Sequence, residues 1–369
     1  MQKMLWVLTL IFANALAAVA GESPRNPATN PEAATPPVGN ASTGVDASGM
    51  PGRSHRGPLP PADDQLVTLA TELRQHVEQL AARIGERNLL RHPRELAQTA
   101  NYVEAEWARA GYKPQRQEYD VSGARCCNVE AEIVGNSRPN EIVILGAHYD
   151  SALGTPGAND NATGVAAVLA LARRFAHRPL ARTLRFVAFA NEETPYFQTD
   201  KMGSRVYARR CRERGERVSA MLSLETMGYF SETPDSQKYP FPFSLLYPST
   251  GNFIGFVGNT NSGELVRQVV AAFRQGEPFP SEGGALPDLV EGAGFSDHWS
   301  FWQEGCPALM VTDTAMFRYP HYHEREDTVD KVDFQRLARV VRGLDIVLAA
   351  LVTGDAEATG KSTQKSAGP

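Results

Sequence analysis

The sequence predicts an α/β domain built on a mixed, mostly parallel central sheet with helices on both faces. Three observations carry that prediction. Ile142 to Leu145, Leu184 to Ala190, Ala220 to Leu224 and Ala308 to Val311 are short apolar runs, interrupted only at Arg185 and Ser223. Runs of this length read as strands buried on both faces. Between the first two lies Val165 to Phe175, an amphipathic stretch rich in Ala and Leu, which gives the strand–helix–strand order of a parallel sheet. Each run also leads into groups with chemical use: His148 and Asp150, then Asn191-Glu192-Glu193, then Glu225, and finally Asp313 and His323. In open α/β sheets ligands bind beyond the carboxyl ends of the strands.

The elements follow in chain order. Lys3, the apolar run Leu5 to Leu10 and the small residues Ala18-Val19-Ala20 have the order of a secretory signal. Residues 1–20 are therefore expected to be a signal peptide, which predicts export to a periplasmic or secreted location. As a membrane span the run is short and contains Asn14. Residues 21–63, rich in Pro, Ala, Gly, Ser and Asn, read as a disordered linker. Leu66, Leu69, Leu73, Val77, Leu80 and Ile84 recur at helical spacing, and a second helix is expected over Glu95 to Ala110, stopped by Gly111. Gln115 to Val121 and Asn128 to Val134 alternate as antiparallel strands do. With the four apolar runs these elements make one domain over residues 64–353, and residues 354–369 read as a disordered tail. The aromatic residues from Tyr229 to Phe253 either wall a pocket or pack a long loop.

Composition narrows the function. The chain has 369 residues, with 37 basic and 42 acidic side chains intermixed and a net charge of −5. No basic stripe is present, which argues against a nucleic-acid partner, and no run after residue 20 has bilayer length. Cys126, Cys127, Cys211 and Cys306 permit disulfides in an oxidising compartment without fixing their pairing. Neighbours in a strand point to opposite faces, so Cys126 and Cys127 are not expected to bond each other.

Two histidines, several carboxylates and no cysteine at one sheet edge suit Zn²⁺ or a similar borderline metal. Asp160, in the glycine-flanked stretch "GANDNATG", can approach closely enough to bridge two ions. The adjacent pair Glu192-Glu193 allows a division of labour, one carboxylate holding metal and the other accepting a proton.

At these residues the sequence resembles the M28 zinc metallopeptidases. "HYDS", "GANDNATG", "FANEE", "LETMGY", "SDHWSF" and "YHEREDT" occur in that family's order, and the resemblance runs from Asp64 to Ala350. It implies a phosphorylase/hydrolase-like mixed sheet and two zinc ions. Carried over by position, His148 and Glu225 would hold one zinc, Glu193 and His323 the other, and Asp160 would bridge them. Glu192 would be the general base, and Asp150 would orient His148 through its other ring nitrogen. The resembling aminopeptidases commonly carry Asp where this chain has Glu225, one methylene longer. His321 competes with His323, but the family's spacing to Asp327-Thr328 favours His323. Asp297-His298 would lie near the substrate pocket or form a buried hydrogen-bonded pair. The implied activity is that of an exopeptidase, an aminopeptidase before a carboxypeptidase, with peptide as substrate. A glutaminyl-cyclase-like acyltransferase with a single zinc is the enzyme alternative, and a non-catalytic ectodomain the other.

Overall fold

The computed structural model describes residues 44–353. The expected signal peptide, the linker up to residue 43 and the tail from residue 354 lie outside them. Helix α1 (Asp64–Val77) starts where the Asp63 carboxylate accepts from the Leu66 N–H at 2.8 Å, satisfying one of the free donors of the first turn. The helix continues through a π-helical turn, Glu78–Ile84. Leu66, Leu69, Leu73, Val77 and Leu80 form one buried stripe along it. Helix α2 (Pro93–Arg109) begins with proline, whose missing N–H costs nothing there. Strands β1 (Gln115–Val121) and β2 (Ala124–Ile133) form the expected antiparallel pair.

The sheet has eight strands in the order β1-β2-β4-β3-β5-β8-β6-β7, with β3 (Arg138–His148), β4 (Arg182–Phe189), β5 (Arg217–Glu225) and β8 (Ala308–Thr312) at its centre. These four are mutually parallel. Strand β6 (Ile254–Asn259) runs antiparallel to β8, and β7 (Ser281–Leu286) runs parallel to β6. Helix α3 (Thr163–Phe175) connects β3 to β4, α4 (Gly203–Glu213) connects β4 to β5, and α5 (Gly263–Gly276) lies between β6 and β7. The short α6 (His298–Trp302) precedes β8, and α7 (Phe334–Thr353) closes the described chain.

Strand periodicity divides the core into two layers. On β3, Val143, Leu145 and Ala147 face a large cluster that includes α1, α3, α5 and α7. Ile142 and Ile144 face the other side, where they meet Tyr207 and Cys211 of α4 and Phe301 and Trp302 of α6. The sheet is thus covered on both faces, as the near-continuous apolar runs require.

One boundary differs from expectation. Residues 44–63, read from composition as disordered, are packed on the domain. Met50 is 4 % exposed within the main core. The Arg274 guanidinium holds the segment, 2.8 Å from Asp46 Oδ2 and donating to Pro51 O at 3.0 Å. Ser54 Oγ accepts from the Ser281 N–H at 2.9 Å. One buried methionine and one arginine clamp order a stretch whose average composition gives no such indication. All four cysteines are free thiols. Among the described residues no helix is long and apolar enough to cross a membrane.

Candidate metal centre

The carboxyl ends of the central strands converge. His148 ends β3, Glu192 and Glu193 follow β4 after Ala190-Asn191, and Glu225 ends β5. Asp160 stands in the turn between β3 and α3, and His323 comes from the loop between β8 and α7. His148 Nε2 lies 3.3 Å from Asp160 Oδ1 and 3.2 Å from Glu225 Oε2. His323 Nε2 lies 3.0 Å from Asp160 Oδ2 and 3.3 Å from Glu193 Oε2. Among the described residues three groupings of three donors form, His148–Glu192–Glu193, His148–Asp160–Glu225 and Asp160–Glu193–His323, and the last two are the donor sets that each take one oxygen of Asp160.

The spacing fits metal. Donors about 2.0 Å from a tetrahedral ion stand about 3.3 Å from one another, which matches the four separations above. Both ring nitrogens of His148, both carboxylate oxygens of Asp160 and Oε1 of Glu193 are buried without a hydrogen-bond partner, whereas buried polar atoms are normally satisfied. Charge points the same way. Asp150, Asp160, Glu192, Glu193 and Glu225 crowd around two imidazoles, and all five are buried. Burial pushes Glu193 up to about 7, with Asp160 adding to the effect. Burial also raises Glu192, and Glu225 and Glu193 raise it further against the pull of His148. The His148 imidazole is held far above its ordinary value although burial opposes it, because Glu225, Glu192, Asp150 and Asp160 surround it. A cluster of this kind calls for cations.

The turns around Asp160 are tightly tied. Asp327 accepts from the Asn159 and Asp160 N–H groups at 2.8 and 3.0 Å and from Tyr319 Oη at 2.8 Å. Asn159 donates to Asp313 Oδ2 at 2.9 Å, and Asn161 donates to Leu224 O at 2.7 Å. Asp313 and Asp327 thus anchor loops. Gly157 has φ +61°, and a Cβ there would collide with the Asp160 carbonyl. At Gly164 a Cβ would collide with Asn161, so only glycine lets α3 start against the end of β5. Asp150 accepts from the Glu192 and Glu193 N–H groups, both at 3.1 Å, and lies 3.5 Å from His148 Nδ1. It therefore fixes both glutamates through their backbone. The Glu225 carboxylate accepts from Ser296 Oγ at 2.7 Å, so the longer side chain has its own support.

Three residues at the site were not anticipated from sequence. Arg87 is fully buried and donates to the carbonyls of Tyr149 (2.8 Å), Pro156 (2.5 Å), Gly157 (2.9 Å) and Gly85 (3.2 Å). It binds the whole 149–157 turn with one guanidinium. Burial lowers it to about 10, while Asp150, Asp327 and Asp160 raise it. Tyr322 stacks on the His323 ring, centroids 3.9 Å apart, and lines the adjoining pocket. Ser296, supporting Glu225, is the third. No single-residue signal marks any of them in the sequence: Arg87 sits in a charged connection, and Tyr322 and Ser296 belong to motifs noticed for their neighbours. His321 faces Tyr319 edge-on at 5.6 Å and belongs to neither donor set. Asp297 and His298 are buried and do not line the pocket; His298 Nε2 lies 2.8 Å from Ala293 O, and the ring packs on Trp302.

A pocket of about 120 Å³ opens from Glu225 and Tyr322, walled by Tyr239, Phe243, Tyr247, Phe253, Met310 and Phe317. The aromatic stretch thus does both things its sequence allowed. Tyr239, Phe243, Tyr247 and Phe253 form wall, while Phe230 packs on Phe279 and Tyr229 on Tyr319.

The model of Peptidase family M28 matches residues 128–345. The uncharacterized protein YfbL of Escherichia coli (strain K12) is 38% identical over 273 residues, covering 70% of this chain and 83% of that one. A probable leucine aminopeptidase of Trichophyton verrucosum is 26% identical, over 71% of this chain and 72% of its own. The fold is that of BSAP, a zinc aminopeptidase from Bacillus subtilis (TM-score 0.61, 14% identity, 78% of this chain and 96% of that chain). It is also that of a Bacteroides thetaiotaomicron glutaminyl cyclase (TM-score 0.59, 18% identity, 79% and 100%). The matched span holds every residue of both donor sets, and the chain belongs to peptidase family M28.

Proposed function

We propose that the chain is an exported zinc-dependent aminopeptidase. The observation that carries this reading is the pair of donor sets sharing Asp160 beside a pocket that, among the described residues, no Lys, Arg or His lines. A carboxypeptidase needs a cation to seat the substrate's terminal carboxylate; a pocket bordered by Glu225 suits a terminal ammonium instead. The relationship to a probable leucine aminopeptidase supports the same choice. Export rests on the pattern of residues 1–20.

His148, Asp160 and Glu225 would hold one zinc, and Asp160, Glu193 and His323 the second. When bound, zinc supplies Lewis acidity, which polarises a carbonyl and lets water ionise near neutral pH. Glu192, buried beside both sets, takes the proton of the attacking water and returns it to the leaving amine. Asp150 keeps Glu192 in place through its N–H. Tyr322 offers a phenol that burial and the nearby Asp160, Glu193 and Glu225 hold protonated; it can donate a hydrogen bond where negative charge develops. A single-zinc cyclase leaves the second donor set without a purpose.

The test is zinc content per chain together with steady-state hydrolysis of aminoacyl p-nitroanilides. Two zinc ions and turnover abolished by chelation are expected. One zinc with release of ammonia from an amino-terminal glutaminyl peptide, and no anilide cleavage, would overturn the reading in favour of the cyclase.

A further inference from the structure

Two carboxylates that the reaction does not use line the pocket: Glu291, which is exposed to solvent, and Glu282, which is largely buried on strand β7. Successive side chains of β7 alternate between faces. Ser281 and Gly283 face α5, where Ser281 Oγ accepts from Arg274 Nε and a Cβ on Gly283 would press on Val270. Glu282, Gly284 and Leu286 face the other way and line the pocket. The Glu282 side chain is 15 % exposed, with Ser54 as its polar neighbour and burial raising its pKa.

Its charge is incompletely matched. The nearest cation, Arg274 Nη2, is 4.0 Å away. That guanidinium is already committed: 2.8 Å from Asp46, donating to Pro51 O at 3.0 Å and to Ser281 O at 2.7 Å. Asp46 and Glu282 thus share one guanidinium, with Arg56 the other cation in range, and among the described residues no Lys, Arg or His lines the pocket. The hydroxyls of Tyr239 and Tyr247 cannot serve either, because they donate to Pro248 O (2.7 Å) and Gly283 O (3.0 Å). Their rings stack with centroids 5.8 Å apart, presenting aromatic surface beside the carboxylate. Glu282 adds to the negative field on both.

An aromatic-walled pocket that holds a half-matched carboxylate suits a long methylene stem carrying a cation. The stem buries on the aromatic walls, and the head gains a charge-assisted hydrogen bond and ring contact. Building on the aminopeptidase reading above, we infer that Glu282 selects peptides whose amino-terminal residue is lysine or arginine.

The test compares kcat/KM for the p-nitroanilides of lysine, arginine, norleucine and leucine on the zinc-loaded protein and its Glu282→Gln variant. Norleucine matches the lysine stem without the charge. Lysine and arginine are expected to exceed norleucine at pH 7 by about 10- to 100-fold, the range of one charge-assisted hydrogen bond. In Glu282→Gln that preference should vanish while norleucine and leucine turnover stays unchanged, which also shows that the variant folds. Should Glu282→Gln lose folding, Glu282→Asp serves: it should keep a preference for cations and favour arginine, the longer side chain. Norleucine or leucine preferred over lysine, with Glu282→Gln indifferent, would overturn the inference and leave the aminopeptidase intact. Cleavage of none of the four by a zinc-loaded protein would overturn both.

Discussion

Glu192 and Glu193 are neighbours in sequence, yet their carboxylates face different partners, and substitution separates them. Glu192→Gln keeps the outline of the side chain but cannot take a proton. Zinc content should stay at the wild-type value while kcat falls about 10²- to 10⁴-fold with little change in KM; a near wild-type kcat would remove Glu192 from the mechanism. His323→Ala should lower the zinc content and abolish turnover, whereas His321→Ala should preserve both, and the reverse pattern would move the ligand by two residues. Much of this constellation was legible, because metal and acid–base chemistry restrict residue type and strand ends restrict place. What sequence could not show is how residues far apart support the centre. Arg87 reads as an unremarkable charge in a connection, yet it ties together four carbonyls of the site turns. Arg87→Met would leave those acceptors buried and unpaired, and a loss of about 3 kcal/mol in unfolding free energy is expected by denaturant titration.

At the scale of elements, legibility followed burial. The central strands announced themselves because both faces are covered and their apolar runs are broken only at Arg185 and Ser223. Strands β6 and β7 did not, since "IGFVGN" and "SEGGAL" are broken by glycine and, in β7, by Glu282. The glycines leave room for neighbours: on β6, a Cβ at Gly258 would press on Val266, and on β7 one at Gly283 would press on Val270 and Met50. Helix α4 was missed for a different reason, its sequence being mostly polar with only Tyr207, Ala208 and Cys211 buried beyond its first turn. The segment before α1 misled because composition averages over residues, while a single anchor decides order. Met50→Ala should therefore destabilise the domain by about 2 kcal/mol or more, measurable as a lower midpoint in urea. An unchanged midpoint would mean that Met50 adds nothing to the core.

For the whole molecule, the charge concentrated at one edge of the sheet would make a bound metal a structural component as well as a chemical one. Stripping zinc should lower the melting temperature in scanning calorimetry, and re-addition should restore it, because a ligand bound only by the native state adds stability by mass action. Equal melting curves with and without chelator would show that the fold tolerates its crowded carboxylates unaided. The outermost strand extends this to assembly. The free side of β7 is occupied within the chain itself: Ser54 Oγ takes the Ser281 N–H, Arg274 takes the Ser281 carbonyl, and Tyr247 Oη takes the Gly283 carbonyl. An uncovered edge would offer those groups to the same edge of another molecule. A chain trimmed to begin at residue 63 loses the Ser54 contact and should associate with itself as its concentration rises, which light scattering would detect; a monomer at every concentration would show that Arg274 and Tyr247 suffice to cover the edge.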